Sequence, residues 1–294
     1  MAVRKVAAVV AAVLVVAAAL SFEPVRTEAG EFLDVFRVKR LKVVTITPQD
    51  MAQLQELLQR GGTADLESFG RVEVTGEAAS RTVTAGEAEE ALGYPLRLPH
   101  RRLLGPYGDP LFQLDVLPTV SLTLNVGNVN TFLRSLGSRD LLPATLEGKT
   151  FTIKGYPVCT ALYRGQAGHL RVIQGRSPEL IVPPGVDVAA VRTALLGIPG
   201  LPENLRRQLE SITDWRHTLP IPAVEGTCTH VTVNGSPGVF WSIPEGQPPT
   251  GASTPGTPTH PSTLFWEEDG VLYAIQGRLL LSQAMDLARS MGVR

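Results

Sequence analysis

Seventeen consecutive residues, Val6 to Phe22, carry no charge and consist of Ala, Val, Leu, Ser and Phe behind the basic pair Arg4-Lys5. Such a run has to be buried in hydrocarbon or in a protein core, so it constrains where the rest of the chain can fold. As a helix it is roughly 25 Å long, a little short of a ~30 Å hydrocarbon core. Two outcomes fit. The basic start and the small residues Ala17-Ala18-Ala19 suit a cleavable signal peptide. Bulky Phe22, with Pro24 and Val25 extending the apolar flank, suits a retained single-pass anchor. Residues 1–25 are read as a transmembrane anchor, with a cleaved signal as the alternative; the terminal position and basic flank argue against a core helix. Arg4 and Lys5 then stay inside, and Glu23 onward faces out.

About 270 residues follow this segment, enough for one large domain or two small ones with real cores. At 44% hydrophobic residues the chain is not a disordered one. Its 27 basic and 28 acidic side chains give a formal net charge of −1. No single-sign field steers nucleic acid, and no basic helix carries interleaved aromatics, so nucleic-acid binding is not expected. The two cysteines, Cys159 and Cys228, leave two outcomes open. They can pair outside the cytoplasm, closing a loop of about 70 residues worth on the order of 4 kcal/mol, or they can remain thiols. A zinc site from Cys159, Cys228 and His230 lacks CxxC or HxxxH spacing and is not expected.

Val35 to Ile46 alternates and is β-branched, which predicts a strand. Thr47-Pro48-Gln49-Asp50 then starts a helix over 48–59, with Met51, Leu54 and Leu58 on one stripe and Gly61-Gly62 as its stop. Arg71–Thr75 reads as a strand, and Thr84-Ala85-Gly86-Glu87 starts a second helix that stops at Gly93. Tyr94–Pro99 is extended, because each Pro disfavours helix in the residue before it, and 100–118 reads as loop. Val120–Val126 is a strand and 129–136 a short helix. Thr150–Ile153 and Val158–Tyr163 read as paired strands around Gly155-Tyr156-Pro157, with 169–174 as the next strand.

Between 177 and 222 the pattern turns helical, with one helix capped by Asp187 and stopped at Gly197. A second opens at Pro202 and carries Leu205, Leu209 and Ile212 at i, i+4, i+7. This reads as a helical insertion among strands. Asn234-Gly235 marks a hairpin between Thr229–Val233 and Val239–Ile243, and 244–262 is a Pro/Thr-rich loop. A second hairpin joins 264–268 to 271–275 through Asp269-Gly270. Ser282 then caps a final helix with Ala284, Leu287, Ala288 and Met291 on one face. The fold class that follows is α+β.

The closing strand-turn-strand-helix, with Trp266, Asp269-Gly270, Tyr273, Gly277, Ala288 and Ser290, resembles a domain of unknown function common in Gram-positive bacteria. That domain lies on the outer side of membrane-anchored anti-sigma factors and related membrane proteins. Glu87-Ala88, Gly93-Tyr94-Pro95 and Leu98-Pro99 match the family's entry segment, and Asn234-Gly235 its central hairpin. The resemblance spans 83–294. It implies a curved antiparallel sheet with helices on one side, loosely similar to lipoprotein-carrier domains that bind acyl chains or proteins on a concave face. Anti-sigma factors carry a cytoplasmic zinc-binding module ahead of the membrane segment, whereas five residues precede Val6 here. The resemblance therefore implies an extracytoplasmic sensor or accessory domain. The expected organisation is an anchor over 1–25, a small strand-helix-strand unit over 32–82 and the anti-sigma-associated domain over 83–294, with insertion 177–222 and loop 244–262.

Catalytic constellations are not found: no GxSxG elbow, no Walker loop, no GxGxxG after a strand. His100, His169, His217, His230 and His260 are not spaced to share a metal. Glu267, Glu268 and Asp269 suit a solvated turn better than calcium or carboxylate chemistry. His100-Arg101-Arg102 suits a solvated loop better than a lipid-phosphate contact, and Trp215 and Trp241 suit core positions at strand ends better than a binding groove. No catalytic, cofactor-binding or metal residue is assigned. The expected function is non-enzymatic sensing or binding at the membrane, with a membrane or envelope protein as partner. A carrier of lipid or acyl chains is the alternative.

Overall fold

The computed structural model describes residues 34–37, 40–60, 68–105, 107–166, 168–213, 218–224, 226–243 and 260–292. In chain order they form β1 (Asp34–Arg37), β2 (Arg40–Ile46), α1 (Pro48–Arg60), β3 (Gly70–Thr75), β4 (Ala79–Val83) and α2 (Ala85–Leu92). Next come β5 (Leu111–Val116), β6 (Thr119–Leu124), α3 (Val126–Ser135), β7 (Thr150–Lys154), β8 (Pro157–Gly165), β9 (Gly168–Arg176) and β10 (Glu179–Val182). The chain continues through α4 (Val188–Leu196), α5 (Glu203–Glu210), β11 (Thr218–Val224), β12 (Thr227–Val233) and β13 (Ser236–Ser242). It ends in β14 (Ser262–Glu268), β15 (Val271–Gly277) and α6 (Leu281–Ser290). The fold is α+β with two antiparallel sheets and six α-helices among the described residues. None of these helices is long and apolar enough to cross a membrane, and Val6–Phe22 lies outside the described residues.

The contacts divide the chain into two compact units, and the chain passes between them after Thr75, Pro118, Lys154, Ser177 and Glu225. The first unit holds the sheet β1-β10-β7-β6-β3 and the parallel pair β2-β11. Helices α3 and α4 bury Val126, Leu133, Val191 and Ala194 with Leu124, Phe151 and Val182 of the sheet. A second core joins Val44 and Ile46 of β2, Met51 and Leu54 of α1, and Leu205 and Leu209 of α5. Each such side chain contributes about 1.5–3 kcal/mol on burial. Local chemistry sets the helix starts: Thr47 Oγ1 accepts from Asp50 N at 3.0 Å while Asp50 Oδ2 accepts from Thr47 N at 2.9 Å. The side of β2 away from β11 is paired by a side chain. Gln208 Oε1 accepts from Thr45 N at 2.8 Å and Gln208 Nε2 donates to Thr45 O at 2.9 Å, in the manner of a neighbouring strand.

The second unit is the sheet β12-β13-β14-β15-β9-β8-β5-β4, antiparallel throughout. Cross-strand register places Trp266, Tyr273, Gln174, Cys159 and Leu114 in one row on one face. Ala88 and Leu92 of α2, and Ala284, Leu287, Ala288 and Met291 of α6, are buried against this row and its neighbours. The turns after β12 and β14 have both central residues at positive φ: Asn234 (47°) with Gly235 (88°), and Asp269 (55°) with Gly270 (79°). This is the twist-matched hairpin turn that Asn-Gly and Asp-Gly favour.

The same four chain segments supply strands to both sheets in the same order, as β3-β6-β7-β10 in one and β4-β5-β8-β9 in the other. Each segment carries Gly or Pro where it leaves one sheet for the other: Gly76, Pro118, Gly155 and Pro178. Proline removes a ladder donor, and glycine tolerates bends and close backbone approach. Gly155 shows the need: a Cβ there would lie 2.4 Å from both Leu117 O and Pro118 O.

Several expectations are corrected. Val35–Ile46 is not one strand, since β1 pairs with β10 and β2 with β11. Thr150–Ile153 and Val158–Tyr163 do not pair; β7 lies between β10 and β6, and β8 between β5 and β9. The 100–118 loop contains the 3₁₀ turn Arg101–Leu103 and the strand β5, and β4 precedes α2. The 177–222 stretch includes β10 and β11 as well as its helices, and it belongs to the same compact unit as residues 34–75 and 119–154. The units therefore do not follow the expected 32–82 and 83–294 boundaries. Helix α3 starts at Val126, capped by Asn125, whose Oδ1 accepts from Asn128 N at 2.9 Å. Helix α6 starts at Leu281 instead of after Ser282; Gln283 Oε1 accepts the Leu280 N–H at 2.9 Å. The expected stop at Gly61-Gly62 and most of the Pro/Thr-rich loop, 244–259, lie outside the described residues.

Gly155→Ala is predicted to destabilise the protein by about 2 kcal/mol or more, because the methyl group meets the backbone carbonyls of Leu117 and Pro118. Denaturant unfolding checks this; a change within about 0.5 kcal/mol would show that the close approach is not required.

Candidate functional site

A glutamine interrupts the apolar face of β9. Leu170, Val172 and Gln174 point the same way, and Gln174 is fully buried. Its amide pairs with the backbone of the Pro-bounded segment that follows α2. Gln174 Oε1 accepts from Arg97 N at 3.1 Å, and Gln174 Nε2 donates to Arg97 O at 3.1 Å. The segment is fixed on either side, with Glu89 Oε1 accepting from Leu96 N at 2.8 Å and Ser290 Oγ from His100 N at 3.1 Å. Segment 94–100 is thereby held by side chains in place of a strand ladder.

The Arg97 side chain extends from this anchor onto the last hairpin. Its guanidinium meets Glu268 Oε1 at 2.8 Å and Asp269 Oδ2 at 3.9 Å, and it lies over the Tyr273 ring at 5.5 Å. Tyr273 in turn stacks on Trp266, with centroids 5.2 Å apart and planes 15° apart. The hydrogen bond that Arg97 donates to Glu268 holds its guanidinium more firmly protonated than usual. The third acid, Glu267, closes the turn by accepting from Gly270 N at 2.6 Å. Two donors at this face have no partner within the described protein: the buried Tyr94 hydroxyl and the buried Trp266 Nε1–H. Burial raises the pKa of Tyr94 well above the usual phenol range and that of Tyr273 to about 12. Both phenols are therefore neutral hydrogen-bonding groups at neutral pH, and the cation present is already matched by carboxylates. The cluster offers hydrogen-bond donors and holds the 94–100 segment.

Other residues singled out in the sequence are not brought together. Cys159 lies on β8, while Cys228 and His230 lie on β12; β13, β14, β15 and β9 separate them. Five strand spacings are roughly 24 Å, far beyond disulfide or zinc geometry, and no disulfide joins the two sulfurs. Burial raises the Cys159 thiol to about 11, which keeps it protonated and unreactive at neutral pH. Among the described residues no three His, Cys, Asp or Glu side chains are grouped to hold a metal. His100, Arg101 and Arg102 are exposed, and Arg101 Nη1 donates to Tyr107 O at 2.7 Å. Trp241 is half-buried opposite Cys228, its indole nitrogen 2.4 Å from where a Gly226 Cβ would stand. Trp215 and His217 lie outside the described residues.

Two open clefts belong to the first unit. One, of about 580 Å³, is lined by Ser68, Arg71, Asn125, Asn128 and Glu147 at the start of α3. Its helix amides are already served, Gly127 N by Glu147 Oε2 at 3.2 Å and Asn128 N by Asn125. The other, of about 380 Å³, is lined by Gln53, Glu56, Leu57 and Glu203.

Sequence reasoning picked out Tyr94, Trp266, Asp269 and Tyr273, which meet here, but missed Arg97 and Gln174. A polar residue in register with Leu170 and Val172 was the available signal for Gln174. Comparison with protein-family models, with curated proteins and with solved structures finds no match.

Titration with a thiol reagent in denaturant, without reductant, is predicted to count two thiols per chain; a count of zero would contradict the strand order. Stability should fall as pH rises from about 10 to about 12. Tyr163 and Tyr273 are raised to about 12 in the fold, so the unfolded chain ionises first. Denaturant titrations across this window, repeated on Tyr94→Phe, check the assignment. The variant should lose stability less steeply, and an unchanged slope would mean that Tyr94 is not desolvated.

Proposed function

We propose that this chain is a membrane-anchored extracytoplasmic binding domain that serves envelope signalling without catalysing a reaction. The observation that carries this reading is the uncharged apolar run Val6–Phe22 behind Arg4 and Lys5, followed by a chain that makes two hydrophobic-cored units. The signalling role rests on the resemblance of 83–294 to the outer domain of anti-sigma factors. It is supported by the way residues that carry that resemblance adjoin one another: Asp269 and Tyr273 meet Arg97, Trp266 stacks on Tyr273, and Tyr94 interacts with Tyr273. A curved sheet with helices on one side and an N-terminal membrane helix complete the proposed architecture. The partner is a membrane or envelope protein.

Expression of the full chain in a bacterial host, fractionation and sequencing of the mature N-terminus test this. An intact Met1 or Ala2 in the membrane fraction is the expected result. A soluble product beginning near Leu20 would overturn the anchor and put a released carrier of acyl chains in its place. An intact N-terminus in the cytosol would contradict both.

A further inference from the structure

We infer that β3 is a docking edge for a second copy of this chain, pairing antiparallel with its own counterpart about a two-fold axis at Val72. The inference is independent of the proposed function. In the first unit β3 is the last strand of its sheet, and among the described residues nothing pairs with its outer side. It is exposed on both faces: Val72 is 42% and Val74 61% accessible, and the Arg71 and Glu73 side chains are 79% and 53% accessible. Edge strands of this kind template further pairing unless they are blocked. The parallel pair shows such a block, since β11 carries Pro220 and Pro222 on alternate residues, which removes two donors from one side. Between Gly70 and Thr75, β3 has none.

The register decides which partner fits. Asn125 N donates to Phe69 O at 2.8 Å, one step beyond the Gly70–Leu124 pair. Hydrogen-bonded positions alternate along an antiparallel pair, so Arg71, Glu73 and Thr75 turn their amides toward β6. Val72 and Val74 turn theirs outward. An incoming antiparallel strand must set outward positions opposite outward positions, so a symmetric pair can centre only on a single residue. Centring on Arg71 sets Arg against Arg, centring on Glu73 sets Glu against Glu, and centring on Gly70 or Val74 overlaps at most three residues of the strand. Centring on Val72 exchanges two hydrogen bonds between the valines and places each Arg71 directly opposite Glu73 of the second copy. Opposite charges so placed stabilise a strand pair, and like charges destabilise it. Within one chain Arg71 and Glu73 already meet at 2.8 Å, so the pair would close a ring of four alternating charges. The strand is thus complementary to itself in hydrogen bonding and in charge.

Light scattering of the full chain purified in detergent, corrected for bound detergent, tests this. A short edge makes a small interface, so the mass should rise from one chain toward two between about 1 and 100 µM. R71E and E73R, which oppose like charges, should each stay at one chain over that range, and R71E/E73R should restore the rise. Circular dichroism and Tm should match wild type in all three, because both side chains are exposed. A wild-type mass of one chain throughout would overturn the inference; a heterologous strand on β3 would give the same result. A dimer indifferent to E73R would overturn it as well.

Discussion

The structure depends on four chain segments that each serve two sheets. A strand can leave one sheet and enter another only where the ladder is interrupted, and here the interruption falls on Gly76, Pro118, Gly155 and Pro178. The constraint is tightest at Gly155, where two carbonyl oxygens leave no room for a Cβ. The two compact units are therefore discontinuous in sequence. β1 and β2 find their partners in β10 and β11, well over a hundred residues away. Such long-range pairings carry a high loop-closure cost and have to be offset by burial in each core.

Side-chain amides recur as substitutes for missing strands. Gln208 pairs with both backbone groups of Thr45, and Gln174 with both of Arg97. Each satisfies a backbone donor and acceptor that would otherwise be costly to bury. In the second unit this device holds the segment from which Arg97 reaches the Trp266–Tyr273 stack, so a buried polar residue positions a half-buried charged one. The unpartnered Tyr94 hydroxyl and Trp266 indole make this the most chemically distinctive part of that unit.

The two hairpins were legible in the sequence because Asn234-Gly235 and Asp269-Gly270 specify their turn geometry locally. The helix starts at Thr47, Thr84 and Asp187 were legible for the same reason. Pairing across distance was not. Gly155-Tyr156-Pro157 has the composition of a hairpin turn, yet it marks a passage between sheets, and nothing local distinguishes the two. β4 was missed because Ala79–Thr82 is exposed and polar, as suits an edge strand, and β5 because Asp109-Pro110 and Leu117-Pro118 bracket it with loop signals. Arg97 and Gln174 were missed because neither belongs to a catalytic or ligand motif; their meeting depends on tertiary register.

Hydrogen exchange read by mass spectrometry along a denaturant series tests most directly whether the shared segments bind the two units into one folding entity. The account predicts that peptides covering β6 and β7 and peptides covering β8 and β9 lose protection together, with one free energy and one denaturant dependence. Loss of protection in β6 and β7 at a clearly lower free energy, with β8 and β9 still closed, would contradict it.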